Sequence, residues 1–141
     1  MRVAGALVLV AAAVAGCGSH HGSAPNLGNT SWSLASFQGS EAFMTPVVSG
    51  SVATLALKPD QKMSGSTGCN TFIGTYLFST TRLTLNIGTR TLAPCVTSEL
   101  TAQQAAITRQ FPQVRSYRIN GQVLVLSNEV GRELFTYNKG S

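Results

Sequence analysis

The chain reads as a mostly β protein of the α+β class. One domain is expected, with a curved antiparallel sheet or partly open barrel of about seven or eight strands packed with one helix. Three observations point there. Short apolar–polar alternations recur along most of the sequence, punctuated by Gly, Pro, Asn and Asp. One stretch, Thr97 to Phe111, breaks that pattern: it lacks Gly and Pro and is rich in Ala and Gln. The composition, with 14 Gly and 5 Pro, suits a turn-rich sheet, and 43% hydrophobic against 11% charged residues is not that of a disordered chain. A length of 141 residues excludes a multi-domain enzyme.

Taken in order, Thr30 to Gln38 places Trp32, Leu34 and Ser36 on one parity, a strand with one apolar face. Val52 to Leu57 alternates with Ala53, Leu55 and Leu57 on one side. Lys58-Pro59-Asp60-Gln61 makes a turn, and Lys62 to Ser64 begins the return strand. Thr71 to Ser79 puts Phe72, Gly74, Tyr76 and Phe78 on one face, and Arg82 to Ile87 turns Leu83, Leu85 and Ile87 inward. In the helix, Leu100, Ile107 and Phe111 share a face, Thr97 or Ser98 caps the first turn and Pro112 stops it. Gln103 and Gln110 are assigned to its polar side. Val114 to Ile119 then meets Gln122 to Ser127 through Asn120-Gly121, a strong hairpin signal. Val123 to Leu126 is apolar on both parities, as expected of a strand covered on both faces. Asn128 to Gly131 turns the chain, and Arg132 to Tyr137 closes the domain.

The first residues are of another kind. Met1 and Arg2 precede an apolar run from Val3 to Gly16, which is shorter than the ~20 residues a helix needs to cross a bilayer. That is the pattern of a bacterial secretory signal. Val14-Ala15-Gly16-Cys17 resembles the lipobox of bacterial lipoproteins. The resemblance implies cleavage after residue 16, diacylglycerol on the Cys17 sulfur, and a fatty acyl group such as palmitate on the new amino group. At ~0.8 kcal/mol per buried methylene, two or three such chains anchor a protein stably. Residues 17–29, small and polar, read as a flexible tether to a domain spanning 30–138. The two histidines of the chain, His20 and His21, fall on that tether.

Once Cys17 is assigned to lipid, Cys69 and Cys95 remain. An even pair in an exported chain predicts a disulfide, for which the loop-entropy account gives about 3 kcal/mol. A zinc site from Cys69, Cys95, His20 and His21 is the arithmetic alternative, at the expense of tying a mobile tether into the core. No CxxC spacing supports a redox role.

Three stretches together carry a family resemblance. Trp32-Ser33-Leu34 opens the domain. Ser64-Gly65-Ser66-Thr67-Gly68-Cys69-Asn70-Thr71-Phe72-Ile73-Gly74-Thr75-Tyr76 stands in the middle, and Thr91-Leu92-Ala93-Pro94-Cys95 follows a strand, ahead of the helix and a Leu124-x-Leu126 strand. The sequence resembles the META domain, or HslJ-like, family, a module of bacterial envelope lipoproteins, over about Asn29 to Tyr137. Two departures are Pro94, where relatives more often carry an unconstrained residue, and Ala and Gln in the helix where they often show an aromatic. The resemblance implies an association with heat-shock, motility and antibiotic-stress phenotypes, hence an envelope-stress role. The motif residues also have readings of their own. Gly65 and Gly68 admit backbone angles that side chains forbid, and Asn70 tolerates the left-handed region. Gly74 leaves room between Phe72 and Tyr76 for a neighbour's ring, and Trp32 is a core anchor whose indole N–H needs a partner.

The inventory of reactive groups argues against an enzyme. A Ser-His-Asp or Cys-His arrangement needs a histidine inside the fold. The acids Glu41, Asp60, Glu99, Glu129 and Glu133 fall in turns, loops or element ends, and no phosphate-binding glycine loop precedes a helix. No cofactor, metal or nucleic-acid partner is expected. A net charge of +5 includes Arg109, Arg115 and Arg118, either a basic patch for anionic lipid or acidic wall polymer or simply a solvated face. The expected function is that of a non-enzymatic, membrane-anchored envelope lipoprotein, a stress-related structural or interaction module. The alternative is a carrier of a small apolar ligand or lipid. A cavity lined by Leu and Phe would favour the carrier; a core filled by Trp32, Phe72 and Tyr76 would favour the module.

Overall fold

The computed structural model describes residues 26–140. The leader at 1–16, the lipidation site Cys17, and His20 and His21 of the tether lie outside the described residues. Nine strands form one antiparallel sheet: β1 (Thr30–Gln38), β2 (Met44–Pro46), β3 (Ala53–Leu57), β4 (Lys62–Thr67), β5 (Thr71–Phe78), β6 (Leu83–Arg90), β7 (Ser116–Asn120), β8 (Val123–Ser127) and β9 (Glu133–Lys139). The single α-helix, α1 (Ser98–Gln110), runs straight into a 3-10 turn at Phe111–Gln113. Along the sheet the order is β6-β5-β4-β3-β1-β9-β8-β7, with β2 also paired to β1. Strand β1 is therefore the spine, carrying a meander on either side.

The sheet curls until its two edges nearly meet. Arg82 bridges Ser116, Leu83 N–H donates to the Arg115 carbonyl, and Tyr117 N–H donates to the Thr81 carbonyl. Farther along, the edges diverge and the 3-10 turn sits against β6, so the barrel is half open and stoppered by helix. Its interior is solid. Phe111 lies edge-on to Phe72 (centroids 5.4 Å apart) and to Phe135 (5.3 Å), and Trp32, Leu55, Leu57, Met63, Tyr76, Leu124 and Tyr137 are buried around them. Each such side chain removed from water is worth roughly 1.5–3 kcal/mol. Both faces of β8 are covered, as its continuous apolar run predicts.

Several local expectations change. In β1 the parity switches at a bulge around Ala35, so Phe37 turns inward after Leu34 and Gln38 is buried as well, while Ser36 bonds Thr136 at 2.5 Å. Strand β2, at three residues, is too short to show a period in the sequence. Strand β4 runs on through Gly65 to Thr67. Gly65 is required for space rather than for its φ: a Cβ there would lie 2.1 Å from the Thr54 carbonyl oxygen and 2.6 Å from the Phe72 ring. Gly68 does adopt the left-handed region (φ 91°), whereas Asn70 does not. Gly74 makes room for backbone, not for a ring, since its Cβ would fall 2.0 Å from the Asn86 carbonyl oxygen at the β5–β6 bulge. Phe78, expected inward with Tyr76, is 38% exposed at the end of β5. In the β7–β8 hairpin Asn120 pairs with Val123, so the two-residue loop is Gly121-Gln122 with Gly121 at φ 61°. The largest change concerns the helix: Gln103 and Gln110 are buried.

A polar lash and an apolar groove on opposite sides of the helix

The motif residues converge on a lash that ties the β4–β5 corner to the helix. Cys69 and Cys95 are joined, with Cα atoms 5.4 Å apart, so the sulfur pair is spent on a covalent link and not on metal. Asn70, buried beside it, has every amide position engaged. Its Oδ1 accepts from Thr91 Oγ1 and Ala93 N–H (both 2.8 Å), and its Nδ2 donates to the Ala93 carbonyl (2.9 Å) and Gln104 Oε1 (2.7 Å). Thr67 Oγ1 accepts from the backbone N–H groups of Cys69 and Asn70, closing the corner under Gly68. Gln103 adds a second tie: its Oε1 accepts from Val48 N–H (2.7 Å), and its Nε2 donates to the Thr67 carbonyl (2.8 Å) and more weakly to Ser51 Oγ. These are the bonds that buried amides demand. Trp32 is likewise structural, its indole N–H donating to Thr30 Oγ1 at 2.8 Å. Tyr76 donates to the Lys58 carbonyl. Burial, reinforced by Asp60, holds the Tyr76 hydroxyl above its ordinary pKa.

On the other side of the helix lies a groove of about 650 Å³, between α1 and the segment from the end of β1 through β2 to Ser49. Phe37 and Ala106, both buried, form its floor; Thr45, Pro46 and Val48 form one wall, and Ala102 and Ala105 the other. Spacings of three and four along α1 bring these alanines onto one face, and their methyl groups leave the space a larger side chain would take. Glu99 stands at one end. Its carboxyl is held below the ordinary range by its own backbone N–H and then by the Ser98 hydroxyl, as a helix N-terminus favours. Arg109, in the last turn of α1, stands at the other end.

Arg109 also lines two neighbouring recesses, one of about 360 Å³ with Arg90 and one of about 420 Å³ with Gln38, Gln110 and Arg132. Among the described residues, neither Arg109, Arg90 nor Arg132 takes part in an ion pair, and Gln110 Oε1 is buried without a hydrogen-bond partner. Arg115 and Arg118, by contrast, have acidic partners. Arg115 is 3.8 Å from Glu129, which also pairs with Arg82 at 3.2 Å, and Arg118 is 2.6 Å from Glu133. Arg109 thus shares its recesses with Arg90 and Arg132, and neither Arg115 nor Arg118 lines them. One sequence signal bears on this: Gln103, Ile107, Gln110 and Phe111 share a helical stripe, which places both glutamines on the buried face. The unpaired arginines come from three separate elements, and no local pattern groups them.

No reactive constellation stands out. Among the described residues no group of three or more His, Cys, Asp or Glu side chains is placed to hold a metal, and no ion pair or hydrogen bond joins two acids. No helix among them is long and apolar enough to cross a membrane. The disulfide is chemistry suited to an extracytoplasmic compartment.

Comparison with known proteins agrees with the fold. The family model of the META domain matches residues 25–141. A protein from Burkholderia xenovorans, solved by NMR, is similar with a TM-score of 0.63 at 23% identity, over 82% of this chain and 84% of that one. A crystal structure of a DUF4847 family protein from Bacteroides vulgatus is similar with a TM-score of 0.58 at 16% identity, over 79% of this chain and 93% of that one. At such identities the likeness is one of fold. No curated protein matches the chain.

Proposed function

Because the chain belongs to the META domain family, which is not a known enzyme family, we propose that it is a non-enzymatic envelope lipoprotein. In this reading residues 1–16 are a cleaved leader, Cys17 carries the lipid, and the tether is shorter than the 17–29 expected, because Leu27 is fully buried in the core. The domain runs from there past 138 to the end of β9 at Lys139 and acts by contact at the membrane surface. The observation that carries the reading is how the motif residues are used. Cys69, Asn70, Thr91 and Cys95 are consumed by internal bonds, and Trp32, Phe72 and Tyr76 fill the interior. Interaction is thereby left to the outer surface. The family's association with stress phenotypes extends the reading to an envelope-stress module. The test is Cys17→Ala followed by fractionation and fatty-acid labelling. The expected result is loss of label and of membrane partitioning; unaltered partitioning refutes the anchor.

One observation favours a second reading, that of a small apolar-ligand or lipid carrier. The groove over Phe37 is within the size range of small-molecule sites. It lies outside the filled barrel and is lined by alanines rather than by Leu, so a ligand would lie along the helix and not in the sheet's interior.

A further inference from the structure

We propose that the groove and the arginine recess beside it form one site for a single-chain anionic amphiphile whose headgroup pairs a phosphate with a hydroxyl, as in a lysophosphatidylglycerol. The inference rests on the carrier reading and names its ligand. The groove and the Arg132 recess share Gly39, Ser40 and Arg109, so an apolar trough opens directly onto a cationic end. Phe37, Val48, Ala102 and Ala105 offer the acyl chain an apolar bed. Arg109 and Arg132, unpaired with any acid among the described residues, offer the phosphate two guanidinium forks, the geometry that planar donors use best on such groups.

Direction and headgroup follow from two further observations. Glu99 lies ten positions before Arg109 along α1, about 15 Å at the helical rise. An anion at that end would meet an ionised carboxylate, so the head is set at Arg109 and the tail runs toward Glu99. The recess is also lined by Gln110, itself 4% exposed, whose Oε1 has no partner. With Nε2 tied to the Gln38 carbonyl, Oε1 is the amide's one open position, an acceptor waiting for a donor. An ionised carboxylate head offers acceptors only, whereas a glycerol phosphate adds a hydroxyl donor beside its charge.

The test uses the full chain carrying Cys17→Ala, which removes its own acylation from the measurement. The neutral fluorophore N-phenyl-1-naphthylamine is bound first and then displaced by monomeric lysophosphatidylglycerol, lysophosphatidylcholine or dodecanoate. Lysophosphatidylglycerol is expected to act at a concentration at least about tenfold lower than the other two, with the advantage fading as salt is raised. Arg109→Gln and Arg132→Gln, both at exposed positions, should each abolish that advantage without lowering Tm. Ala102→Trp, also exposed, should exclude fluorophore and lysolipid together without lowering Tm. Equal displacement by the phosphocholine lipid, whose phosphate is offset by a choline cation, overturns the assignment of a net anionic head and leaves the carrier reading standing; displacement unchanged by either arginine substitution overturns the arginine assignment. Equal displacement by dodecanoate overturns the hydroxyl argument. Failure of the fluorophore to bind overturns both the inference and the carrier reading. Retention on phosphatidylglycerol vesicles without displacement by monomers assigns the cations to a membrane surface and overturns the site.

Discussion

Two glutamines one heptad apart on the same helix have been put to different uses. Gln103 is buried with both ends of its amide engaged, tying the helix to Val48 on one side and Thr67 on the other. Gln110 is buried with one end engaged, Nε2 to the Gln38 carbonyl at 2.5 Å, while Oε1 has no partner. The first sits beside the disulfide and the Asn70 lash. The second sits beside unpaired arginines and an apolar groove. A buried amide contributes about 1 kcal/mol per bond when paired and costs about 1–3 kcal/mol for each group left unpaired. The first half of the helix is thus built to hold the fold, and its last turn carries an unmet bond where a ligand would meet it.

The largest expected effect tests the lash. Cys69→Ser opens a link spanning 26 sequence positions and should lower the unfolding free energy by about 3 kcal/mol, measured by urea titration of oxidised protein. An unchanged midpoint would mean that the Asn70 network holds the corner without the sulfur bond.

Next comes the comparison itself. Gln103→Met keeps volume but strips partners from the Val48 N–H and the Thr67 carbonyl, and should cost about 3 kcal/mol. Gln110→Met gives up one bond and removes one orphan, so its net cost should be about 1 kcal/mol or less. Equal losses at the two positions would erase the distinction drawn here.

How far the sequence reveals these two regions differs for a physical reason. The strands follow from period-two alternation and turn chemistry, which are local, and only β2 is too short to carry a period; the pairing of β1 with β9 is not local, and no period gives it. The lash is legible as well, because Gly68-Cys69-Asn70 and Thr91-Leu92-Ala93-Pro94-Cys95 are contiguous motifs. The groove is not. It depends on a bulge at Ala35 that turns Phe37 inward, on a three-residue strand, and on small residues whose importance lies in what they leave open. Gln110 is misread because polarity normally marks an outer face, whereas here the polar group lies beneath the helix. Arg90, Arg109 and Arg132 are dispersed in sequence and are gathered only by the curl of the sheet.

A pH series separates the filled interior from the open surface. Burial holds the Tyr137 hydroxyl far above its ordinary value, and raises Tyr76 and Tyr117 less. A group whose folded pKa is raised keeps its full contribution below the unfolded value of 10.0 and loses it as pH rises above that. Stability should therefore be level through neutral pH and fall beyond about pH 10, with Tyr137 the largest contributor. Tyr137→Phe should flatten that limb of the curve. A slope unchanged by the substitution would move the cause to the other tyrosines.

The smallest effect concerns the cations that have partners. Glu129 faces Arg82 and Arg115, and Glu133 faces Arg118, all with side chains more than a third exposed. Such pairs gain little in water and are screened by salt, so Glu129→Gln should change stability by less than about 1 kcal/mol. What it should change is the distribution of free charge, because Arg82 and Arg115 then lack a carboxylate. If ligand recognition belongs to the end of the helix, Glu129→Gln leaves lysophosphatidylglycerol displacement as it was while strengthening retention on a phosphatidylglycerol surface. If the variant instead gains affinity for the lysolipid, the paired arginines are part of the same field as Arg109, and the division between a tied region and an open one does not extend to charge.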